Sequence, residues 1–177
     1  MTRTARRLRP LLGLALVVAG LVAPMVGAAA HDGLDHGAEQ SVVDVVEVNG
    51  LLDPVLLEVV ADALESVDPA ETIALVLQVD SRGSVVPDAD VTALADLVLD
   101  SPVPVSVWVG PSGSRALGAV AQLVGLADDV GIAPGARIGD LGEPVLSAAS
   151  HGAPFGLAAG SDLVDGTVGY AEAVERG

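Results

Sequence analysis

The sequence predicts an α/β domain with a mainly parallel sheet, on three observations. Strand-like and helix-like runs alternate from Val42 onward, turn-forming residues fall between them, and the strand-like runs are continuously apolar. Continuous runs belong to strands inside a parallel sheet. Strands separated by helices need right-handed crossovers, which lay the helices against the sheet.

The first run, "VVDVVEVNG", is a strand that stops at Asn49 and Gly50. "DPVLLEVVADALESV" follows with Asp53 as helix cap, Pro54 at the first helical position and apolar residues at helical spacing. "TIALVLQVD" reads as a buried strand, "SRGSVVPD" as a loop, "DADVTALADLVLDS" as a second helix and "PVPVSVWVG" as a third strand. "GPSGSRALGAVAQLVG" then turns a glycine-rich corner into a helix expected from about Ser114 to Ala127, and "DVGIAPGARIGD" adds a short strand and a turn. Beyond Asp140 the period is lost and the chain reads mostly as loop, with one short strand or helical turn expected in "TVGYAEAVERG". The functional crevice of such a sheet lies at the carboxyl ends of its strands, from which "NGLLD", "DSRGSVVPD" and "GPSGSRALG" leave.

Ahead of this domain, residues 1–30 combine Arg3, Arg6, Arg7 and Arg9, an apolar run and the small residues Ala28 to Ala30. That is the pattern of a secretory signal cleaved before His31, or of a retained membrane anchor, since the apolar run is long enough to span a bilayer. Export to the extracellular space or cell envelope is the expectation. Residues 31–40 form a flexible acidic lead-in. His31, His36, Asp32 and Asp35 lie in it without the spacing that would fix a metal geometry, and they read as a solvated tail.

Removing the signal takes four arginines and no acid, so the formal charge moves from −16 to −20. Nucleic acid and anionic lipid are therefore poor partners. The chain has no cysteine, so nothing in it is held by disulfides, and its basic residues are all arginine. Trp108, Phe155 and Tyr170 are its only aromatic residues, so Val, Leu and Ala must fill the core.

The segments "VVDVVEVNGLLDPVLLEVVADAL", "IALVLQVDSRGS" and "PVSVWVGPSGSRALGAVAQLVGLADDVGIAPGARIGD" resemble the amino-terminal domain of NfeD-type membrane-associated serine proteases, of the Clp protease and crotonase superfamily. The likeness covers roughly residues 41–140, with 141–177 as a loop-rich extension. It implies a crotonase/ClpP-like spiral of β-β-α units, a Ser-Lys dyad and an oxyanion site made by the amides of a P-G-G loop. Carried over, that loop falls on Arg82, Gly83 and Ser84, and the nucleophile position falls on Gly118. Glycine has no hydroxyl, the chain has no lysine, and arginine stays protonated and cannot act as the base.

The expectation is a non-catalytic, peptide- or partner-binding pseudo-protease linked to membrane protein quality control. Its partner would be a peptide or a stomatin-like or NfeD membrane protein; a homo-oligomer is compatible with the superfamily's rings and trimers, and no cofactor is expected. The alternative is an active serine endopeptidase that uses Ser114 or Ser112 with His151 and Asp162 or Asp165 in the Ser-His-Asp order of Clp proteases. Ser114 also suits a helix cap. Arg82 and Arg115, in the crevice loops, suit either a carboxylate ligand or surface ion pairs. Asp128 and Asp129 fit a helix-to-strand turn rather than metal ligands. A crotonase-type acyl-CoA enzyme is disfavoured by export and by the scarcity of basic residues for nucleotide phosphates.

Overall fold

A computed structural model of the protein describes residues 42–152 and 162–176. The residues expected to form a signal segment and an acidic lead-in, with His31, Asp32, Asp35 and His36, lie outside the described residues. Four parallel strands form the main sheet in the order β1-β2-β3-β5: β1 (Val42–Asn49), β2 (Thr72–Asp80), β3 (Val105–Val109) and β5 (Asp129–Ile132). A second sheet, β4-β6-β7, contains β4 (Arg115–Leu117), β6 (Arg137–Gly139) and β7 (Thr167–Gly169), with β4 parallel and β7 antiparallel to β6. The helices are α1 (Pro54–Ser66), α2 (Asp88–Leu99), α3 (Ala119–Val124), α4 (Ala148–His151) and α5 (Tyr170–Arg176). Among the described residues no helix is long and apolar enough to cross a membrane.

The chain repeats one unit: a strand of the main sheet, a short crossing segment that pairs in the second ladder, then a helix. After β1 the crossing segment is Leu52, bridged to Ser84; after β2 it is Ser81, bridged to Ala116; after β3 it is β4, and after β5 it is β6. Each unit's crossing segment hydrogen-bonds to the next, so the units wind as a β-β-α spiral. Local chemistry starts the first helix where the sequence places it: Pro54 opens α1, and the Asp53 carboxylate accepts from the Leu56 amide at 2.8 Å.

Helices cover one face of the main sheet, where Leu75, Leu77, Val79, Val105, Val107 and Val109 pack with Val60, Leu64, Leu94, Val98, Val120 and Val124. The other face is only half covered. Val45 is 59% and Trp108 39% exposed there, while Val76 and Gln78 are half-buried. Among the described residues, the continuous apolar run of β2 thus belongs to a strand packed by helices on one side only.

The segment after Asp140 departs from the loop expectation at α4, whereas "TVGYAEAVERG", where one short strand or helical turn is expected, forms both β7 and α5. The segment places Leu141, Leu146, Leu163 and Val168 in the core. Pairing with β6 and contacts to α3 order it, not a local period. Gly139, at φ +140°, has no room for a Cβ because the Gly166 carbonyl and Thr167 Cα fill that space, which lets β6 and the approach to β7 meet closely.

Candidate functional site

The corner between β3 and α3 is built differently from the expected direct strand-to-helix turn. Ser114 is 2% exposed, and its amide donates to the Pro111 carbonyl at 3.1 Å. The next three residues are a strand. Ser81 and β6 hold them from both sides: the Ser81 amide donates to the Arg115 carbonyl at 2.6 Å, the Leu117 amide donates to the Ser81 carbonyl at 3.1 Å, and the Arg137 amide donates to the Ser114 carbonyl at 3.0 Å. This pairing overrides the helical pattern of "SRALGAVA", so the helix starts at Ala119 and Ser114 is not its cap. Ser112 is exposed in the turn before β4.

Gly118 occupies the cap position at φ +61° and ψ −139°, a conformation glycine adopts without the penalty a Cβ brings. Its amide donates to the Asp140 carbonyl at 2.9 Å, and its carbonyl accepts from the Ala121 and Gln122 amides. A Cβ at this position would point at Gly83, 3.6 Å from that residue's Cα. The two positions matched to the nucleophile and to the oxyanion loop are therefore neighbours in space, although 35 residues apart in sequence.

The loop of residues 82–84 is firmly tied. The Ser81 hydroxyl donates to the Gly83 carbonyl at 3.1 Å and accepts from the Gly83 amide at 3.4 Å. The Ser84 hydroxyl donates to the Leu52 carbonyl at 3.4 Å and accepts from the Val86 amide at 3.2 Å. Across the corner, the Ala119 and Val120 amides open a helix and have no carbonyl within it to receive them. No side chain comes within 4 Å of where a Gly118 Cβ would lie, so the nucleophile position is walled there by backbone.

His151 does not complete a triad. It is 8% exposed, with Nδ1 3.2 Å from the Ser147 carbonyl and Nε2 3.1 Å from Oδ1 of Asp96 on α2. Both ring nitrogens lie against oxygens other than the Ser114 hydroxyl, and no hydrogen bond joins His151 to Ser114 among the described residues. Asp162 and Asp165 are exposed before β7, and the carboxylate His151 meets is that of Asp96. Asp128 accepts from the Val105 amide at 2.8 Å, which ties the α3–β5 turn to the start of β3; Asp129 opens β5.

Arg82 and Arg115 are exposed, and neither makes an ion pair with a carboxylate among the described residues. Two further residues matter that the sequence reading did not single out. Gln122, fully buried on α3, donates through Nε2 to the Leu141 and Glu143 carbonyls, both at 2.9 Å. Its Oε1 accepts from the Val145 and Leu146 amides at 2.9 and 3.2 Å. Its signal was that it is the one polar residue in "AVAQLV". Arg137, beside Arg115 across the β4–β6 ladder, is the other.

No family model and no curated protein matches the chain. Solved structures do. One is the membrane-bound stomatin-specific protease 1510-N, as a mutant in complex with a substrate peptide, with a TM-score of 0.54 and 17% identity over 63% of this chain and 50% of that one. An enoyl-CoA hydratase from Bacillus anthracis has a TM-score of 0.58 and 19% identity over 75% of this chain and 64% of that one. The ClpP protease catalytic domain from Plasmodium falciparum has a TM-score of 0.56 and 12% identity over 75% of this chain and 80% of that one. The chain spans about half the length of the stomatin-specific protease chains it matches. At these identities the likeness is one of fold: the protein has a crotonase/ClpP-like α/β architecture with a mainly parallel sheet.

Proposed function

We propose that this protein is an exported pseudo-protease that binds a peptide or a peptide-like segment of a partner without cleaving it. The observation that carries the reading is the Gly118–Gly83 contact. A serine-protease-type fold brings the nucleophile position against the oxyanion loop, and that position holds glycine. The absence of lysine removes the base of a Ser-Lys dyad. The engagement of His151 with Asp96 and the Ser147 carbonyl weighs against a relocated Ser-His-Asp triad. The partner class proposed is a stomatin-like membrane protein, by analogy with the substrate of the 1510-N protease.

The test is fluorophosphonate labelling of the full-length chain, read by intact mass, beside a Ser112→Ala/Ser114→Ala double variant. The expected result is no adduct on either protein, with capture of extended peptides retained by both. An adduct on the parent that vanishes in the double variant would overturn the reading and place a nucleophile in "GPSGSRALG".

A further inference from the structure

The protein is strongly acidic, with 24 Asp and Glu against eight arginines, and only Arg82, Arg115, Arg137 and Arg176 lie beyond residue 30. Three of these four converge beside the Gly118 corner. Arg115 and Arg137 are directly paired in the parallel β4–β6 ladder. Directly paired residues present their side chains on one face. The residues that follow them, Ala116 at 0% and Ile138 at 3% exposure, point into the core, so the two arginines point outward, where both are exposed. Arg82 is exposed next to Ser81, which is bridged to Ala116 of the same ladder.

Like charges directly opposite each other destabilise a sheet, and a chain so rich in acid has ample means to neutralise them. It does not do so here. None of the three arginines has a carboxylate within ion-pair distance among the described residues. The neighbouring acid of β2, Asp80, is turned to the main chain and accepts from the Arg115 amide at 3.0 Å; Asp140, which follows β6, is exposed. Arg137 is steadied by β7, its Nη1 donating to the Thr167 hydroxyl at 3.3 Å.

We infer that the Arg115–Arg137 pair, flanked by Arg82, is a carboxylate subsite for a bound peptide. The inference rests on the peptide-binding reading above and deepens it. Two guanidinium groups on adjacent strands suit the two oxygens of one carboxylate, which charge-assisted hydrogen bonds hold strongly. The subsite also has a defined reach. Arg115 lies three residues before Gly118, about 10 Å along an extended chain, so a carboxylate held there leaves about three extended residues to span to the Gly118–Gly83 corner. A peptide's C-terminal carboxyl group and an Asp or Glu side chain supply the same chemistry.

Fluorescence anisotropy on the full-length chain tests this with three probes: an Ala/Val hexapeptide labelled at its N-terminus with a carboxylate-free BODIPY dye and ending in a free C-terminal carboxyl, the same peptide as its amide, and the amide with Glu as its last residue. The free-carboxyl probe is expected to bind about tenfold more tightly than the plain amide, the scale of one charge-assisted contact. An Arg115→Gln/Arg137→Gln variant should erase that difference. If the Glu amide matches the free acid, the subsite takes any carboxylate; if it matches the plain amide, the subsite reads a chain terminus. Equal binding of all three probes would overturn the subsite and leave peptide binding standing, whereas binding of none would overturn both. Should the double variant fail to fold, the acid-against-amide comparison on the parent chain decides.

Discussion

Gln122 and the backbone it grips explain how the candidate site keeps its shape. Four hydrogen bonds made by one buried amide hold residues 141–146, which form no strand of their own, and that segment follows directly on Asp140, whose carbonyl receives the Gly118 amide. Replacement by leucine preserves volume but strands two carbonyls and two amides. Buried polar groups left without partners cost about 1–3 kcal/mol each, part of which water entry recovers, so Gln122→Leu is expected to lower the unfolding free energy by about 3 kcal/mol. Hydrogen exchange should speed first at the Val145 and Leu146 amides, ahead of the core strands. A loss near that of a surface substitution, about 0.5 kcal/mol, would contradict the clamp. At this scale the sequence was legible where chemistry is local, as with Asp53 and Pro54. It was silent where a residue acts across 19 to 24 positions, as Gln122 does.

Among the elements, α1 is the one whose start rests most plainly on a single side chain. Its last turn has no basic residue to complement the helix dipole and its first turn has no acid, so the Asp53 cap is its main terminal stabiliser. Asp53→Ala should cost about 1 kcal/mol, read as a lower urea midpoint with an unchanged slope, while Asp53→Asn should restore most of the loss. The long strands and the first two helices could be read from periodicity because each carries its pattern over eight or more residues. The β4, β6 and β7 strands have three residues each, too few to show a period, and they exist because neighbouring segments pair with them. That is why Arg115 to Leu117 read as the start of a helix, and why the pairing of Arg115 with Arg137 was out of sight. The family resemblance assigns Gly83 and Gly118 to one site, since their proximity is a property of the fold and not of either local stretch.

For the molecule as a whole, a core filled almost entirely by valine, leucine and alanine has a packing consequence. Branched aliphatic side chains of similar size leave gaps that an aromatic ring or a methionine would fill. The interior between the main sheet and α1, α2 and α3 contains an apolar cavity of about 30 Å³ lined by Val79, Val105, Val107, Leu77, Leu94 and Val124, among others. A void of that volume costs about 0.7 kcal/mol at 24 cal/mol per Å³. One added methyl group at its wall should recover most of this, so Val107→Ile is expected to stabilise the protein by about 0.5 kcal/mol, seen as a raised urea midpoint. Val91, equally buried but in the smaller cluster with Ala95 and Leu146, does not line the cavity. Val91→Ile should therefore destabilise by about 1 kcal/mol through overpacking. Opposite signs for two chemically identical substitutions would show that the main core is underfilled at a specific place. The same sign for both would mean that the cavity walls close up without help.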